Sequence, residues 1–135
     1  MSLIRITALI LVFSSFCTAR CLADEPRKVI TYSVANESIT LPPRCVKSAR
    51  LRETPVGNSP LLSRSIMFMI QPGADCADRL NAFFERHIGS MVSTRFGHQE
   101  IMQPTKIISA LKMEKGFSQY VEGKLLAEEI IDTYN

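Results

Sequence analysis

The segment from Ser65 to Gly89 constrains the fold most, because it holds the longest apolar run after residue 23 and the most regular amphipathic pattern. Its first part, Ile66–Ile70, is an unbroken apolar run stopped by Gln71-Pro72-Gly73. A short apolar run bounded by turn residues predicts a buried strand. A strand followed by an amphipathic helix is the kernel of a small α+β domain.

The second part of this segment predicts a helix that starts near Asp75, whose carboxylate can accept hydrogen bonds from the first free backbone amides. Apolar side chains recur there at intervals of three and four residues, so they share one face of the helix. They are Ala77, Leu80, Phe84 and Ile88. This face needs a sheet to cover it, so the helix is expected to pack on its own strand.

The first 23 residues have the pattern of a secretory signal. Met1–Arg5 carries a positive charge, Ile6–Cys17 is largely apolar, and Cys21-Leu22-Ala23 places small residues where a signal peptidase cuts. Cleavage is predicted after Ala23, which assigns the protein to the periplasm. A membrane-spanning helix fits less well, because it needs about 20 apolar residues. No membrane insertion is expected after cleavage.

Cleavage leaves residues 24–135, which suffice for a single α+β domain and are too few for two. It also removes two arginines, so the formal net charge falls from +3 to +1. General nucleic-acid binding draws on many unopposed lysines and arginines, which a nearly neutral chain lacks. The sequence therefore predicts one exported domain that does not bind nucleic acid.

Two cysteines, Cys45 and Cys76, remain after cleavage. In an oxidising compartment such a pair most often forms a disulfide. The bond would close a loop of about 30 residues and stabilise the fold by about 3–4 kcal/mol on the chain-entropy model. A redox role is not expected, because the cysteines are far apart in sequence and do not form a Cys-x-x-Cys pair.

Further strands are predicted on both sides of the central unit from short β-branched and apolar runs between turn residues. In the Val29–Val34 strand, alternation favours Ile30, Tyr32 and Val34 as the buried set. The other predicted strands are Ile39–Leu41, Met91–Phe96, Glu100–Met102, and a hairpin of Lys106–Met113 with Phe117–Glu122. A helix from Leu125 or Leu126 to Tyr134 closes the chain. The predicted fold is α+β, with two helices packed on one face of a mostly antiparallel sheet.

Three stretches of the second half match the motifs of a known family in the same order. His87-Ile88-Gly89-Ser90 is similar to a helix-ending Asn-Ile-Gly-Lys, and Lys106-Ile107-Ile108-Ser109-Ala110 to a Val-Ile-Ser-Ala-Pro strand. Tyr120–Leu125 with Glu128-Glu129 is similar to an Ile-x-Gly-Asn-Phe-Thr-x-Glu-Glu-Ala junction. From Ile66 onward the chain resembles the head subdomain of the first periplasmic domain of SecD, a subunit of the bacterial protein-export translocase. The resemblance implies an α+β sandwich and a link to export.

The chain also departs from the SecD pattern. The family carries this head on a larger base with transmembrane helices, which this sequence does not show. Gly97–Thr105 replaces a tight turn of the family, Leu126 replaces its capping threonine, and the Cys45–Cys76 pair is not a SecD feature. A divergent copy with an added loop is therefore expected.

No residue pattern for catalysis is recognisable, so the chain is predicted not to be an enzyme and to need no cofactor. His87 and His98, even with Glu100, fall short of the convergent donors of a metal site. The serines lack a Ser-His-acid context, and both cysteines are expected in the disulfide. No motif marks a pair of catalytic carboxylates or a phosphate-binding loop.

A protein partner is the remaining expectation, and Gly97–Thr105 is its first candidate surface. It is interpreted as a loop that enters a partner's cleft, with Phe96 and Met102 as apolar anchors. The polar contacts are assigned to His98, Gln99 and Glu100.

A basic set is the second candidate surface. It consists of Arg44, Lys47, Arg50 and Arg52. The set is either a solvated strand face or a docking patch for an acidic partner. The methionines are likewise either core and half-covered sheet residues or an adaptable contact surface. They are Met67, Met69, Met91, Met102 and Met113.

An exported, stand-alone copy of a domain otherwise embedded in a larger machine favours a binding role. The sequence predicts an inhibitor, specifically an immunity protein that protects the periplasm against a toxin acting on the cell wall. The alternative is an accessory factor of protein export that binds translocating chains or the translocase. A minor structural protein of the cell envelope is the third possibility. An inhibitor should bind one partner tightly, whereas an export factor should bind unfolded chains broadly and weakly.

Overall fold

A computed structural model describes residues 27–135, and the predicted signal peptide, Met1–Ala23, lies outside the described residues. Within them the chain forms seven strands and two helices, which confirms the predicted α+β class. The strands are β1 (Ile30–Val34), β2 (Glu37–Leu41), β3 (Val46–Pro55), β4 (Leu62–Ile70), β5 (Met91–Phe96), β6 (Gln99–Lys106) and β7 (Phe117–Tyr120). The helices are α1 (Ala77–Arg86) and α2 (Lys124–Tyr134). No helix in residues 27–135 is long and apolar enough to cross a membrane.

The strands of residues 27–135 are divided between two sheets, whereas the sequence suggested a single sheet beneath the helices. The four-stranded sheet has the order β2-β1-β5-β6, and the three-stranded sheet has the order β3-β4-β7. Each neighbouring pair is antiparallel, as predicted. β1 finds its partner β5 far along the chain, with Ile30 opposite Phe96.

The inner faces of both sheets and one side of each helix share a hydrophobic cluster. In β1 the buried residues are Ile30, Tyr32 and Val34, which confirms the predicted alternation. The Phe84 ring of α1 meets the Tyr32 ring edge-on, with centroids 5.0 Å apart. α2 buries an apolar stripe against the three-stranded sheet. The stripe consists of Leu126, Ala127, Ile130 and Tyr134.

Cys45 and Cys76 form the predicted disulfide, with their Cα atoms 5.3 Å apart. Both residues are buried. The bond joins the residue just before β3 to the residue just before α1, so it ties the start of the helix to the start of the edge strand.

The prediction of a loop at Gly97–Thr105 is wrong, because most of this segment is a strand. β6 pairs with β5 around a turn at Gly97 and His98. Pro104 suggested a loop, but β6 lies at the edge of its sheet. A proline is tolerated there, because one side of an edge strand has no ladder to interrupt.

The predicted Lys106–Met113 strand is also wrong. Ile107 extends the β5–β6 ladder by one residue, donating to the Ser90 carbonyl at 2.9 Å and accepting from the Gly89 amide at 2.7 Å. The chain is irregular from there to a 3-10 turn at 113–115, and Ile108 is 83% exposed. This segment carries the chain from one sheet to the other. β7 consequently pairs with β4 and has no hairpin partner before it.

Helix α1 starts at Ala77, later than predicted, and the Asp75 side chain does not cap it. The carbonyls of the preceding turn act in its place, since Gln71 accepts from the Ala77 amide and Gly73 from the Asp78 amide, each at 3.1 Å. The helix ends at Arg86, so Ile88 lies outside it and is 48% exposed. Phe83 takes its place on the buried face beside Ala77, Leu80 and Phe84.

Candidate protein-binding surface

One face of the three-stranded sheet points away from the core and from both helices. Along β4, Ile66, Phe68 and Ile70 are buried, whereas Met67 and Met69 alternate with them on the other side and are half-buried. On the neighbouring strands Arg50 lies opposite Met67, and Tyr120 lies opposite Ser65, which also faces Arg52. We call this surface the outer face. Its principal side chains are Arg50, Arg52, Met67, Met69 and Tyr120.

The outer face carries positive charge that the described chain does not neutralise. All four members of the predicted basic set are exposed, namely Arg44, Lys47, Arg50 and Arg52. None of them makes an ion pair with any residue in 27–135. By contrast, Arg64 on β4 is paired with Glu53, Nε to Oε1, at 3.0 Å. Because Arg50 and Arg52 are two residues apart on one strand, their Cα atoms lie about 7 Å apart on the same side.

Two methionines form the apolar centre of the outer face. The chain passes close to them at Gly116, where an added Cβ would lie 2.8 Å from Met69 Sδ and 3.5 Å from Met67 Sδ. Methionine side chains are flexible and polarizable, so they adapt to partner surfaces of different shape. The methionines of the predicted set differ in exposure, since Met113 is fully buried and Met91 is 55% exposed.

Tyr120 borders this centre at the end of β7 and is 41% exposed. Tyrosine, arginine and methionine are enriched in the cores of protein–protein interfaces, and tyrosine and arginine carry much of the binding energy there. The outer face brings these residue types together on one rigid sheet. It therefore has the composition of a protein-binding surface.

The residues of the other predicted surface, around Gly97–Thr105, differ in exposure: its apolar anchors are buried or half-buried, and its polar residues are exposed. Phe96 is 1% exposed and belongs to the core, so its side chain is not available as an anchor for a partner. Met102 is half-buried on the side of β6 that faces β7, where its Sδ accepts a hydrogen bond from Nε2 of Gln119 at 3.0 Å. The polar residues are exposed at the turn and the start of β6. They are His98, Gln99 and Glu100. This tip belongs to the four-stranded sheet, so it is not part of the outer face.

An apolar crevice of about 190 Å³ lies between the inner side of β5–β6 and strand β7. The Tyr32 hydroxyl lines it and donates to Oε1 of Gln119 at 3.0 Å. Burial raises the pKa of Tyr32, so its phenol stays neutral. Small-molecule sites begin at about 300 Å³. The crevice thus has room for one apolar side chain of a partner.

A polar cluster joins the end of α1 to β2. Oε2 of Glu37 lies 2.8 Å from Nε2 of His87 and 3.0 Å from Nη2 of Arg86. The hydrogen bond with His87, followed by that from Arg86, holds the pKa of Glu37 below its ordinary value. His87 is thus engaged with a carboxylate. Across residues 27–135 no group of three or more His, Cys, Asp and Glu side chains could hold a metal ion.

Sequence analysis named Met67 and Met69 only within the larger methionine set, with the core and the contact-surface interpretations both open, and it gave Tyr120 no contact role. The run Ile66–Ile70 is apolar throughout, so it shows no alternation that would separate an inner from an outer face. The available signal was the pair Arg50 and Arg52 on one side of the adjacent strand. Their partners across the sheet had to lie on the solvent side as well.

Comparison with protein-family models, curated proteins and solved structures gives no match for this chain. The likeness to the SecD head stays a prediction. Of its three motif segments, His87–Ser90 follows the end of α1 and Tyr120–Leu125 spans the junction of β7 and α2, whereas Lys106–Ala110 only ends β6 and does not form a strand of its own.

Proposed function

We propose that this protein is an exported, non-catalytic immunity protein that neutralises a secreted, cell-wall-acting enzyme by covering its active site. The observation that carries the proposal is the outer face. There Arg50 and Arg52, which have no ion-pair partner within residues 27–135, lie beside two half-buried methionines and an exposed tyrosine.

The charge of the outer face suits the active site of a wall-degrading glycoside hydrolase. Such enzymes use two carboxyl groups that flank the scissile bond, about 5–9.5 Å apart. Arg50 and Arg52 project from positions about 7 Å apart, and arginine binds carboxylates with two parallel hydrogen bonds. The two guanidinium groups can therefore engage both carboxylates together. Complementary charge would also steer the two proteins into contact.

The compartment fits this role. A disulfide such as Cys45–Cys76 persists in oxidising surroundings, including the bacterial periplasm. The predicted signal sequence leads to the same place. An inhibitor in the periplasm would intercept a wall-degrading enzyme before it reaches its substrate.

The experiment is an inhibition assay with an identified partner. Mature protein, residues 24–135, is immobilised and exposed to secreted proteins, and the enzyme that it retains is identified. Hydrolysis of cell wall by that enzyme is then titrated with the mature protein. Inhibition should reach completion at equal concentrations. The R50E/R52E variant should raise the inhibitory concentration by about 1,000-fold, since two interface hot spots lost at about 2 kcal/mol each amount to about 4 kcal/mol.

R95E is the matched control, because Arg95 is an exposed arginine on β5 of the other sheet. It should inhibit like the wild type. Retained inhibition by R50E/R52E would refute the role of the outer face. Absence of any retained wall-acting enzyme would refute the immunity function.

A second candidate is the predicted accessory role in export, which the crevice favours. An apolar slot for one side chain could hold an unfolded chain weakly at a single residue. This role predicts binding of many unfolded proteins to the same crevice, with loss of binding in M102E. A single tight partner would argue against it.

A further inference from the structure

Strand β3 forms one edge of the three-stranded sheet, and a side chain already pairs with that edge at one position. Asn135 donates from Nδ2 to the Ala49 carbonyl at 3.0 Å and accepts the Ala49 amide on Oδ1 at 3.2 Å. The primary amide thus occupies the place where the peptide group of a further strand would pair. Both backbone groups of Ala49 consequently point away from β4.

The contact at Ala49 fixes which other backbone groups of β3 point outward. In an antiparallel pair, alternate residues bond to the neighbouring strand and the residues between them point the other way. The register from Ser48 to Pro55 is regular, so Leu51 and Glu53 share the orientation of Ala49. The Val56 amide bonds to the Leu61 carbonyl of the hairpin at 3.1 Å, as this alternation requires. Apart from Asn135, which pairs with Ala49, no residue in 27–135 pairs with the outer edge of β3.

We propose that the β3 edge, at Leu51 and Glu53, binds an extended segment of a partner protein that adds to the sheet as a further strand. The segment carries Asp or Glu at alternate positions, because its side chains on the outer face would lie next to Arg50 and Arg52. This inference rests on the proposed function, in that it names how the inhibited protein is held. Main-chain hydrogen bonds supply the pairing, and the alternate side chains supply the selectivity.

A second copy of this chain does not suit the edge. Pairing of β3 with β3 around Leu51 would bring the arginines of both copies together, and like charges across strands are destabilising. Proteins commonly protect edges by shortening the strand, bulging it or inserting proline. Here the register is regular from Ser48 to Pro55, because the bulge is confined to Val46–Ser48 and the proline, Pro55, is the last residue of the strand. An acidic strand from another protein matches both the length and the charge.

The probe is a synthetic peptide that alternates glutamate with threonine, added to ¹⁵N-labelled mature protein. Peptide binding should shift the amide resonances of Leu51 and Glu53, and should slow their hydrogen exchange by about tenfold or more. Two control peptides separate charge from strand pairing. Lysine in place of glutamate should abolish binding, and N-methylation of alternate backbone amides should abolish it with the charge retained.

The protein variants are E53P and its matched control E53A. Both remove the ion pair with Arg64, but only E53P removes the outward amide, and proline is tolerated at such an edge position. E53P should weaken peptide binding by about tenfold or more, and E53A should not. Equal binding by both variants, binding of the N-methylated peptide, or shifts confined to other strands would overturn the proposal. So would concentration-dependent dimerisation through β3.

The failure of this inference can be distinguished from that of the proposed function. If E53P still inhibits the identified enzyme while R50E/R52E does not, the outer face acts without strand addition. If the acidic peptide pairs with β3 but no wall-acting enzyme is inhibited, the edge site holds and the immunity function fails.

Discussion

The hydroxyl of Tyr134 donates to the carbonyl of Leu41 at 2.7 Å and accepts the amide of Ile30 at 2.8 Å. Ile30 and Leu41 lie opposite each other on β1 and β2. One side chain in the last turn of α2 therefore satisfies two backbone groups of the four-stranded sheet. All three residues are buried, so water does not replace the hydroxyl readily.

Removal of this hydroxyl should destabilise the fold. Tyr134→Phe keeps the ring, whose edge meets the Phe68 ring at 5.4 Å between centroids, but leaves two buried backbone groups without their partner. The free energy of unfolding should fall by about 2–4 kcal/mol. Urea denaturation measures it. The control is Tyr120→Phe, which removes an exposed hydroxyl and should change stability by less than about 0.5 kcal/mol. Similar losses in both variants would contradict the assignment.

The same residue predicts a loss of stability at alkaline pH. Burial raises the pKa of Tyr134 from 10.0 to about 12, an effect that the backbone hydrogen bond from Ile30 partly offsets. The unfolded phenol ionises near pH 10 while the folded one stays neutral, so its contribution is complete below pH 10 and is lost as the pH rises to about 12. Burial also raises the pKa of Tyr32, so this residue adds to the loss of stability at alkaline pH. Unfolding free energies across this range should fall less steeply for Tyr134→Phe than for the wild type. Parallel slopes would exclude this role for Tyr134.

Loss of the disulfide should cost a large share of the stability. The Cys45–Cys76 bond spans 31 residues, and the chain-entropy model assigns about 3–4 kcal/mol to a loop of that length. A typical domain has about 5–15 kcal/mol in total. The double variant C45A/C76A, unfolded in urea beside the oxidised and the reduced wild type, measures the loss. Mass spectrometry without reductant gives an independent check, since two free thiols would contradict the structure.

Gly116 should not tolerate a side chain. Its φ is +90°, and a Cβ would lie 2.8 Å from Met69 Sδ. Gly116→Ala should lower the free energy of unfolding by about 1–3 kcal/mol from backbone strain, with the contact adding to that loss. Gly89→Ala is the matched control, because Gly89 has φ +91° and open space around its Cβ position. The difference between the two variants isolates the methionine contact. Equal losses would mean that Met69 moves aside freely.

Local patterns predicted the elements whose burial follows a simple period. The alternation in β1 and the spacing of Leu126, Ile130 and Tyr134 in α2 each reflect one buried face, so sequence alone located them. The disulfide followed from the cysteine count and the predicted compartment. β4 was predicted too short, because three of the four residues in Leu62–Ser65 are polar and the strand structure of this segment depends on pairing with β3.

The errors arose where tertiary context overrides local preference. Ile107 and Ile108 favour a strand, but the chain has to leave the four-stranded sheet there to reach β4, and Ile108 ends up in solvent. Pro104 favours a loop, but its edge position permits a strand. The candidate site also depends on tertiary context. The sequence identified Arg50 and Arg52 as one basic set and left the role of the methionines open, whereas the strand register places Met67 opposite Arg50 and Met69 opposite Ser48 on the same face.

The pairing of β1 with β5 has a consequence for the order in which the protein folds. Ile30 pairs locally with Leu41 of β2, but it also lies opposite Phe96 and donates to the Tyr134 hydroxyl, and these two contacts form only when most of the polypeptide is present. Contacts so distant in sequence slow folding, because a long loop must close before they form. In a newly made polypeptide of this topology, β1 therefore pairs with β5 only after the intervening strands and α1 have been synthesised. The last turn of α2 then completes the set of contacts around Ile30.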